Sequence, residues 1–176
     1  MNTQKSPWDK AISHVLEFEG GYSNDPLDPG NWTGPDCSGD LKGTKYGISA
    51  RSFPLLDIEN LTEDHAHVIY RDRYWREIQG DKLPEPLAIM LMDSAVNCGI
   101  SRSVKWLQKA LRVQQDGNLG PVTLSAVRTQ TGVYLAQEVG NARERHYRLL
   151  KTWPRFGKGW MRRLDACRAL CGIVKE

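Results

Sequence analysis

Glu17-Phe-Glu-Gly-Gly-Tyr-Ser-Asn-Asp-Pro-Leu-Asp-Pro-Gly30 is the stretch in which a helical pattern gives way to a loop. Upstream, Trp8, Ile12, Val15 and Glu19 are spaced four, three and four apart, the interval that keeps side chains on one helical face. Ala11 and Leu16 widen that face. Ser6 reads as an N-cap, with Pro7 at the first helical position and Asp9 in the first turn. Gly20 or Gly21 can supply the left-handed residue that ends the helix. Downstream, residues 20–48 are rich in glycine, hold three prolines and lack a helical period. They predict a loop with a small hairpin, its turns marked by Gly39, Gly43 and Gly47. So long an irregular stretch inside a compact domain is usually functional.

The remainder reads as helix. Thr62 predicts a cap, with Glu63 and Asp64 in the first turn and the helix running through Tyr70 and Tyr74 to about Ile78. Pro84 and Pro86 open a segment, Leu87 to Asn97, that is apolar nearly all round, the mark of a helix buried on most sides. Gly99 ends it. Ser101 is expected to cap a helix with Val104, Leu107 and Leu111 inside and Lys105 and Lys109 in water. Residues 116–121 form a tight turn, and Pro121 opens another helix. A long helix spans about 133–153, and after a break at Trp153-Pro154 a last one covers about 159–174. The expected fold is mainly α, with one small β element near the N-terminus, in a single domain over residues 1–176.

The 176 residues are 40% apolar and 26% charged, ordinary for a soluble globular chain. No apolar run is long enough to cross a membrane, and the N-terminus lacks the basic-then-apolar plan of a signal peptide. The net charge of +3 is unevenly placed. Residues 143–176 hold ten Lys or Arg against three acids, and the preceding 142 hold fourteen against eighteen. This basic end could dock on an anionic polymer or lipid headgroups, or be the solvated side of two helices. Cys37, Cys98, Cys167 and Cys171 make no secretory disulfide framework, and the four histidines complete no zinc site. Free, mostly buried thiols and no metal or cofactor are expected.

The chemistry points to carboxylates. Glu19 lies on the apolar face at a helix C-terminus, where burial and the helix dipole both disfavour the anion. A carboxyl that keeps its proton can protonate a leaving oxygen. Asp28 follows nine residues later in Asp25-Pro-Leu-Asp-Pro-Gly30. Asp25 reads as a turn acceptor, and Asp28 either as the same or as a carboxylate that orients water or shields positive charge at a sugar C1. One acid against a core and one in a polar loop is the arrangement that glycoside hydrolysis uses. In Gly43-Thr-Lys-Tyr-Gly-Ile-Ser49, Thr44 could hold the attacking water and Tyr46 could stack on a sugar. The same residues would also make an ordinary strand. Tyr22 and Trp32 are further saccharide-facing candidates, whereas Trp106, Trp153 and Trp160 read as core. Asp93 and Asn97, i and i+4 on the apolar helix, are either an internal brace or the floor of a cleft. No phosphate loop, HExxH, GxSxG or paired CxxC is present.

Glu19-Gly-Gly-Tyr-Ser-Asn-Asp-Pro26, Asp28-Pro-Gly30 and Gly43-Thr-Lys-Tyr-Gly-Ile-Ser49 together resemble the N-terminal signature of glycoside hydrolase family 108. These are lysozyme-like N-acetylmuramidases of bacteria and their phages. Asp93-Ser-Ala-Val-Asn97, Leu107-Gln108 and Asp116-Gly-Asn-Leu-Gly-Pro-Val-Thr123 resemble the C-terminal peptidoglycan-domain segment. The resemblance covers most of the chain. It implies a lysozyme-like α+β fold, with a catalytic part over 1–82 and a helical part over 83–176. It also implies hydrolysis of the β-1,4 bond between N-acetylmuramic acid and N-acetylglucosamine, with Glu19 as the acid.

The order Glu19, Asp28, Thr44 is similar to the Glu/Asp/Thr triad of phage lysozymes, and Tyr22, Tyr46, Asn97 and Trp32 are expected on the substrate. Residues 31–43 depart from the pattern as an insertion, so Thr44 aligns by motif and not by its distance from Asp28. The implied partner is the peptidoglycan glycan strand, with the basic C-terminal helices on an anionic outer membrane, no nucleic acid and a monomeric state. A phage endolysin made in the cytoplasm and released by a holin-type route would need no signal peptide. A non-catalytic binding module, a lytic transglycosylase and a nucleic-acid-binding helical protein are the rival readings.

Overall fold

Ser6 and Asp9 exchange main-chain and side-chain hydrogen bonds: Asp9 N–H donates to Ser6 Oγ at 3.1 Å, and Ser6 N–H to Asp9 Oδ2 at 3.0 Å. This reciprocal cap starts α1 (Pro7–Glu19), as its sequence predicts. Gly20, at φ +75°, ends it. The structure is a computed structural model describing residues 5–174. After α1 come β1 (Thr44–Lys45), β2 (Ile48–Ser49), α2 (Glu63–Tyr70), α3 (Glu85–Cys98), α4 (Ile100–Ala110), α5 (Pro121–Val127), α6 (Gly132–Leu149) and α7 (Trp153–Leu170). The fold is mainly α with a two-stranded antiparallel sheet, as in lysozyme-like proteins. No helix among the described residues is long and apolar enough to cross a membrane.

The chain divides into two compact units. One is Val15–Arg71, which holds the end of α1, the irregular segment, the hairpin and α2. The other joins the residues up to His14 with those from Asp72 onward. The second border falls in a π-helical turn, Arg71–Trp75. The helix expected from Thr62 to Ile78 is therefore α-helical only to Tyr70. Thr62 does cap it, its Oγ1 accepting from His65 N–H at 3.2 Å. The extra residue per turn in a π segment rotates the face that follows.

In the helical unit α3 is central and packs against α4, α6 and α7. Every residue from Leu87 to Ala95 is buried, as its all-round apolar pattern requires. Each Leu, Ile or Met there contributes about 1.5–3 kcal/mol on burial. That favourable surface surrounds a charged cluster. Asp93 accepts from Arg143 Nη1 at 2.5 Å and from Arg163 Nε at 2.7 Å, with His14 Nε2 at 3.6 Å. Arg143 Nε donates to Tyr147 Oη at 2.5 Å, and Tyr147 Oη donates to Asn97 Oδ1 at 2.6 Å. Asp93 is thus an internal brace, and Asn97, exposed, forms its outer end. His14, Asp93 and Cys167 have ligand atoms within 4.8 Å of one another. Two guanidinium groups already hold that carboxylate, and their charge opposes a cation.

Several expectations change. Ser101 does not cap α4, which begins at Ile100 after Gly99. The last helix starts at Trp153 and not at 159, because Pro154 in a first turn needs no N–H partner. Trp106, Trp153 and Trp160 are half-buried, while the core tryptophans are Trp8 and Trp75, edge to face at 5.4 Å. Three cations of the basic end face inward: Arg143, Arg163 and Arg168 are buried. Arg168 pairs with Glu144 and Asp165 at 2.9 and 3.2 Å. Arg145, Arg148, Lys151, Arg155, Lys158 and Arg162 are the exposed remainder, and Lys175 lies outside the described residues. All four cysteines are free thiols, Cys167 and Cys171 buried, Cys37 and Cys98 half-buried.

Candidate active site

The hairpin organises the unit that carries Glu19. Thr44 pairs with Ser49 and Lys45 with Ile48, and the turn residues Tyr46 and Gly47 both have positive φ, 52° and 72°. Two such residues make the turn whose twist matches a hairpin. At Gly47 the need for glycine is also steric. A Cβ there would lie 2.6 Å from Glu19 Oε2 and 2.6 Å from Tyr70 Oη. The two oxygens are thus no more than twice that distance apart. Tyr70 Oη donates to the Tyr46 carbonyl at 2.8 Å and pins the turn in place. Glu19 itself is half-buried, while Trp8, Ile12 and Val15 of the same stripe are buried. The carboxylate therefore stands at the rim of the apolar face and remains in reach of solvent.

Thr44 sits at the other end of β1. Its N–H donates to Ser23 O at 2.8 Å and Ser23 N–H returns to Thr44 O at 2.9 Å, so the segment leaving Glu19 runs beside it. Thr44 Oγ1 is 2.7 Å from Asn31 Oδ1. The amide of Asn31 is oriented by its Nδ2, which donates to Asp25 O at 3.0 Å. The Thr44 hydroxyl must then be the donor to Oδ1, which leaves its own oxygen as an acceptor for a further group.

Asn31 is fully buried, and its carbonyl accepts from Lys42 N–H and Gly43 N–H at 3.0 and 2.9 Å. The chain that departs after Asn31 therefore returns to it. Within that excursion Trp32 bridges Leu41 and Thr33 N–H donates to Asp40 O at 2.9 Å. The segment read from the sequence as an insertion closes on itself and leaves Thr44 directly beside Asn31.

Asp28 and Asp25 both serve turns. Asp28 Oδ1 accepts from Gly30 N–H at 2.8 Å and Asp25 Oδ1 from Leu27 N–H at 2.9 Å, and both residues are exposed. Trp32 is half-buried, its indole N–H donating to Pro26 O at 3.0 Å. Tyr46 is half-buried with Lys45 Nζ 5.7 Å from its ring centre. Tyr22 is 37% exposed and its ring backs onto Gly43, where a Cβ would be 2.7 Å away. Glu19, Tyr22, Asp28, Trp32, Thr44 and Tyr46 thus belong to one unit, and Asn97 belongs to the other. Sequence reasoning missed Asn31, Tyr70 and the steric role of Gly47. A tyrosine on the buried side of a helix, whose hydroxyl needs a partner, is the signal that could have flagged Tyr70.

Comparison with known proteins gives the family of the chain. Residues 12–99 match the family Glycosyl hydrolase 108, and residues 102–165 match the family described as Predicted Peptidoglycan domain. Among solved structures the chain is similar to SagA of Brucella abortus, with 34% identity over 93% of this chain and 92% of that one and a TM-score of 0.77. No curated protein matches it. The two family matches make the chain a glycoside hydrolase directed at peptidoglycan. With half its length matched and a similar fold over nearly all of it, the chain belongs to glycosyl hydrolase family 108.

Proposed function

We propose that the protein is an N-acetylmuramidase that hydrolyses the β-1,4 bond between N-acetylmuramic acid and N-acetylglucosamine. The observation that carries this reading is Glu19, half-buried at a helix end, its carboxylate against Gly47 and within reach of Tyr70 Oη. Glu19 protonates the glycosidic oxygen as the bond breaks. Thr44, its hydroxyl proton committed to Asn31, accepts a hydrogen bond from the attacking water and aims its lone pair at C1. Asp28 counters the positive charge that develops there, and the water, as it bonds to C1, sheds a proton to solvent, from which Glu19 regains its own. Tyr22, Tyr46 and Trp32 present ring faces to successive sugars.

The protein acts as a monomeric endolysin, made in the cytoplasm and released to the wall by a holin-type route. Its exposed basic residues near the α6–α7 corner, Arg148, Lys151, Arg155 and Lys158, meet an anionic outer-membrane surface.

The test is clearing of purified peptidoglycan by wild type and Glu19→Gln, with mass spectrometry of the products. Clearing by wild type alone, with reducing muramic acid ends, is the expected result. Products lighter by one water would make the enzyme a lytic transglycosylase. Equal clearing by both chains would move the chemistry away from Glu19, and none by either would leave a binding module.

A further inference from the structure

The unit that carries Glu19 also holds a cavity of about 310 Å³ that shares Tyr22, but not Glu19, Asp28 or Thr44, with the proposed glycan site. Its wall is built by Tyr22, Leu41, Lys42, Leu56, Asp57 and Glu59. Two of these, Leu41 and Lys42, come from residues 31–43, the segment read from the sequence as an insertion. The cavity is placed by the same hairpin as Glu19. Gly43 backs onto the Tyr22 ring and Gly47 backs onto the Glu19 carboxylate. The two glycines are four residue steps apart, at most about 13 Å. One short hairpin thus positions both the Tyr22 wall of the cavity and the Glu19 carboxylate.

Beyond the Tyr22 ring, the chemistry of the wall is unlike that of a sugar subsite. Lys42 Nζ is held by the Pro54 carbonyl at 2.9 Å, which fixes an ammonium at the rim. Asp57 is fixed as well, its carboxylate accepting from Asn60 N–H and Nδ2 at 3.3 and 2.9 Å. Those two hydrogen bonds hold its carboxyl below the usual range, so it is an anion at neutral pH. Glu59 adds a second carboxylate, and Tyr22, Leu41 and Leu56 give apolar surface. The glycan backbone offers hydroxyls and acetamides but no charge for such a wall to recognise.

We infer that this cavity is a binding pocket for the peptide stem carried by the muramic acid residue, with Lys42 and Leu41 as specificity-determining residues. A stem combines what the wall complements: small methyl side chains, a carboxylate for Lys42, and the free amine of its diamino acid for Asp57 and Glu59. The volume lies at the low end for small-ligand pockets, which suits two or three residues of peptide. The inference rests on the muramidase reading for its substrate.

Two measurements test it. The first is the ratio of kcat/KM on intact peptidoglycan to that on glycan strands stripped of stems by an amidase. Wild type is expected to favour the intact polymer at least tenfold, and Lys42→Gln and Leu41→Asp to lower that ratio severalfold. Equal rates on both substrates, or a ratio unmoved by either variant, would overturn the pocket. The second is binding of the tripeptide L-Ala-D-Glu-diaminopimelate to the Glu19→Gln chain, followed by NMR shifts of the Tyr22 ring. Saturable binding, weakened tenfold or more by adding Lys42→Gln, is expected, and no binding overturns the pocket whatever the turnover. Peptide binding by a chain whose wild type cleaves no glycan would instead overturn the muramidase reading and keep the pocket.

Discussion

The Glu19 carboxylate fills the space that a side chain on Gly47 would need, with Oε2 2.6 Å from the point where a Cβ would stand. Gly47→Ala therefore acts on two levels. Its φ of +72° costs a residue with a Cβ about 1–2 kcal/mol. The methyl also pushes the acid from its place, and a shift of about 1 Å can cost on the order of 100-fold in rate. The expected outcome is a folded protein with a modest fall in Tm and a loss of kcat/KM on the order of 100-fold. Wild-type turnover in a folded Gly47→Ala protein would show that Glu19 has no fixed post to lose.

Thr44 and Asn31 give a second separation of structure from chemistry. Thr44→Val keeps the shape and removes the side-chain proton that Thr44 offers to Asn31 Oδ1. A buried acceptor left without its donor costs about 1–3 kcal/mol. Should Thr44 also hold the attacking water, kcat falls by more than the stability loss explains, and Thr44→Ser restores both. Urea midpoints and turnover on the three proteins are the measurement. A Val variant that is destabilised yet fully active would leave Thr44 as a brace for Asn31 alone.

What could be read in the chain and what could not divides along physical lines. The α1 stripe, its Ser6–Asp9 cap, the glycine stop and the all-buried α3 are local patterns, and each stands where its residues put it. The hairpin was legible because Gly43 and Gly47 flank a short β-branched and aromatic run. Missed were features set by distant partners. Nothing local marks Asn31 as the point where a loop closes, or Tyr70 as the pin of a turn 24 positions earlier. Pro154 looked like a break because proline inside a helix is one, yet in a first turn it is at home. The charge count of the C-terminal end misled for a related reason, since composition does not say which arginines are indoors.

His14 makes stability depend on pH in the alkaline range. Burial alone would lower its pKa, but Asp93 and Cys167 beside it reverse this and raise it from 6.5 to about 9. A group raised in the folded state contributes its full stabilisation below the unfolded value, and loses it as pH rises through the folded one. The window is therefore from about pH 6.5 to 9, with up to roughly 3 kcal/mol at stake. Asp93 adds no slope there. Burial favours its neutral form, but Arg143, His14 and Arg163 outweigh it and hold the carboxyl far below the usual range. Tm measured from pH 6 to 10 should fall through this window in wild type and stay flatter in His14→Gln. Parallel curves for the two proteins would remove the proton from His14.

Arg162 and Arg163 are adjacent in sequence and opposite in role, which gives the sharpest test of the basic end. Arg163 is 6% exposed and donates from Nε to Asp93 at 2.7 Å, whereas Arg162 is exposed. Removing one partner of a buried pair strands the other charge and costs about 3–5 kcal/mol, a large share of a domain's stability. Arg163→Gln should therefore lower the urea midpoint sharply, and Arg162→Gln should leave it within about 0.5 kcal/mol. The consequence for surface binding is direct, because a charge that is tied to Asp93 cannot also serve a membrane. Neutralising Lys151, Arg155 and Lys158 should weaken binding to anionic vesicles by about 1 kcal/mol per charge, with the folded state intact. Equal loss of vesicle binding in folded Arg163→Gln would place that guanidinium outside and undo the brace; no loss in the triple variant would remove the membrane from this corner.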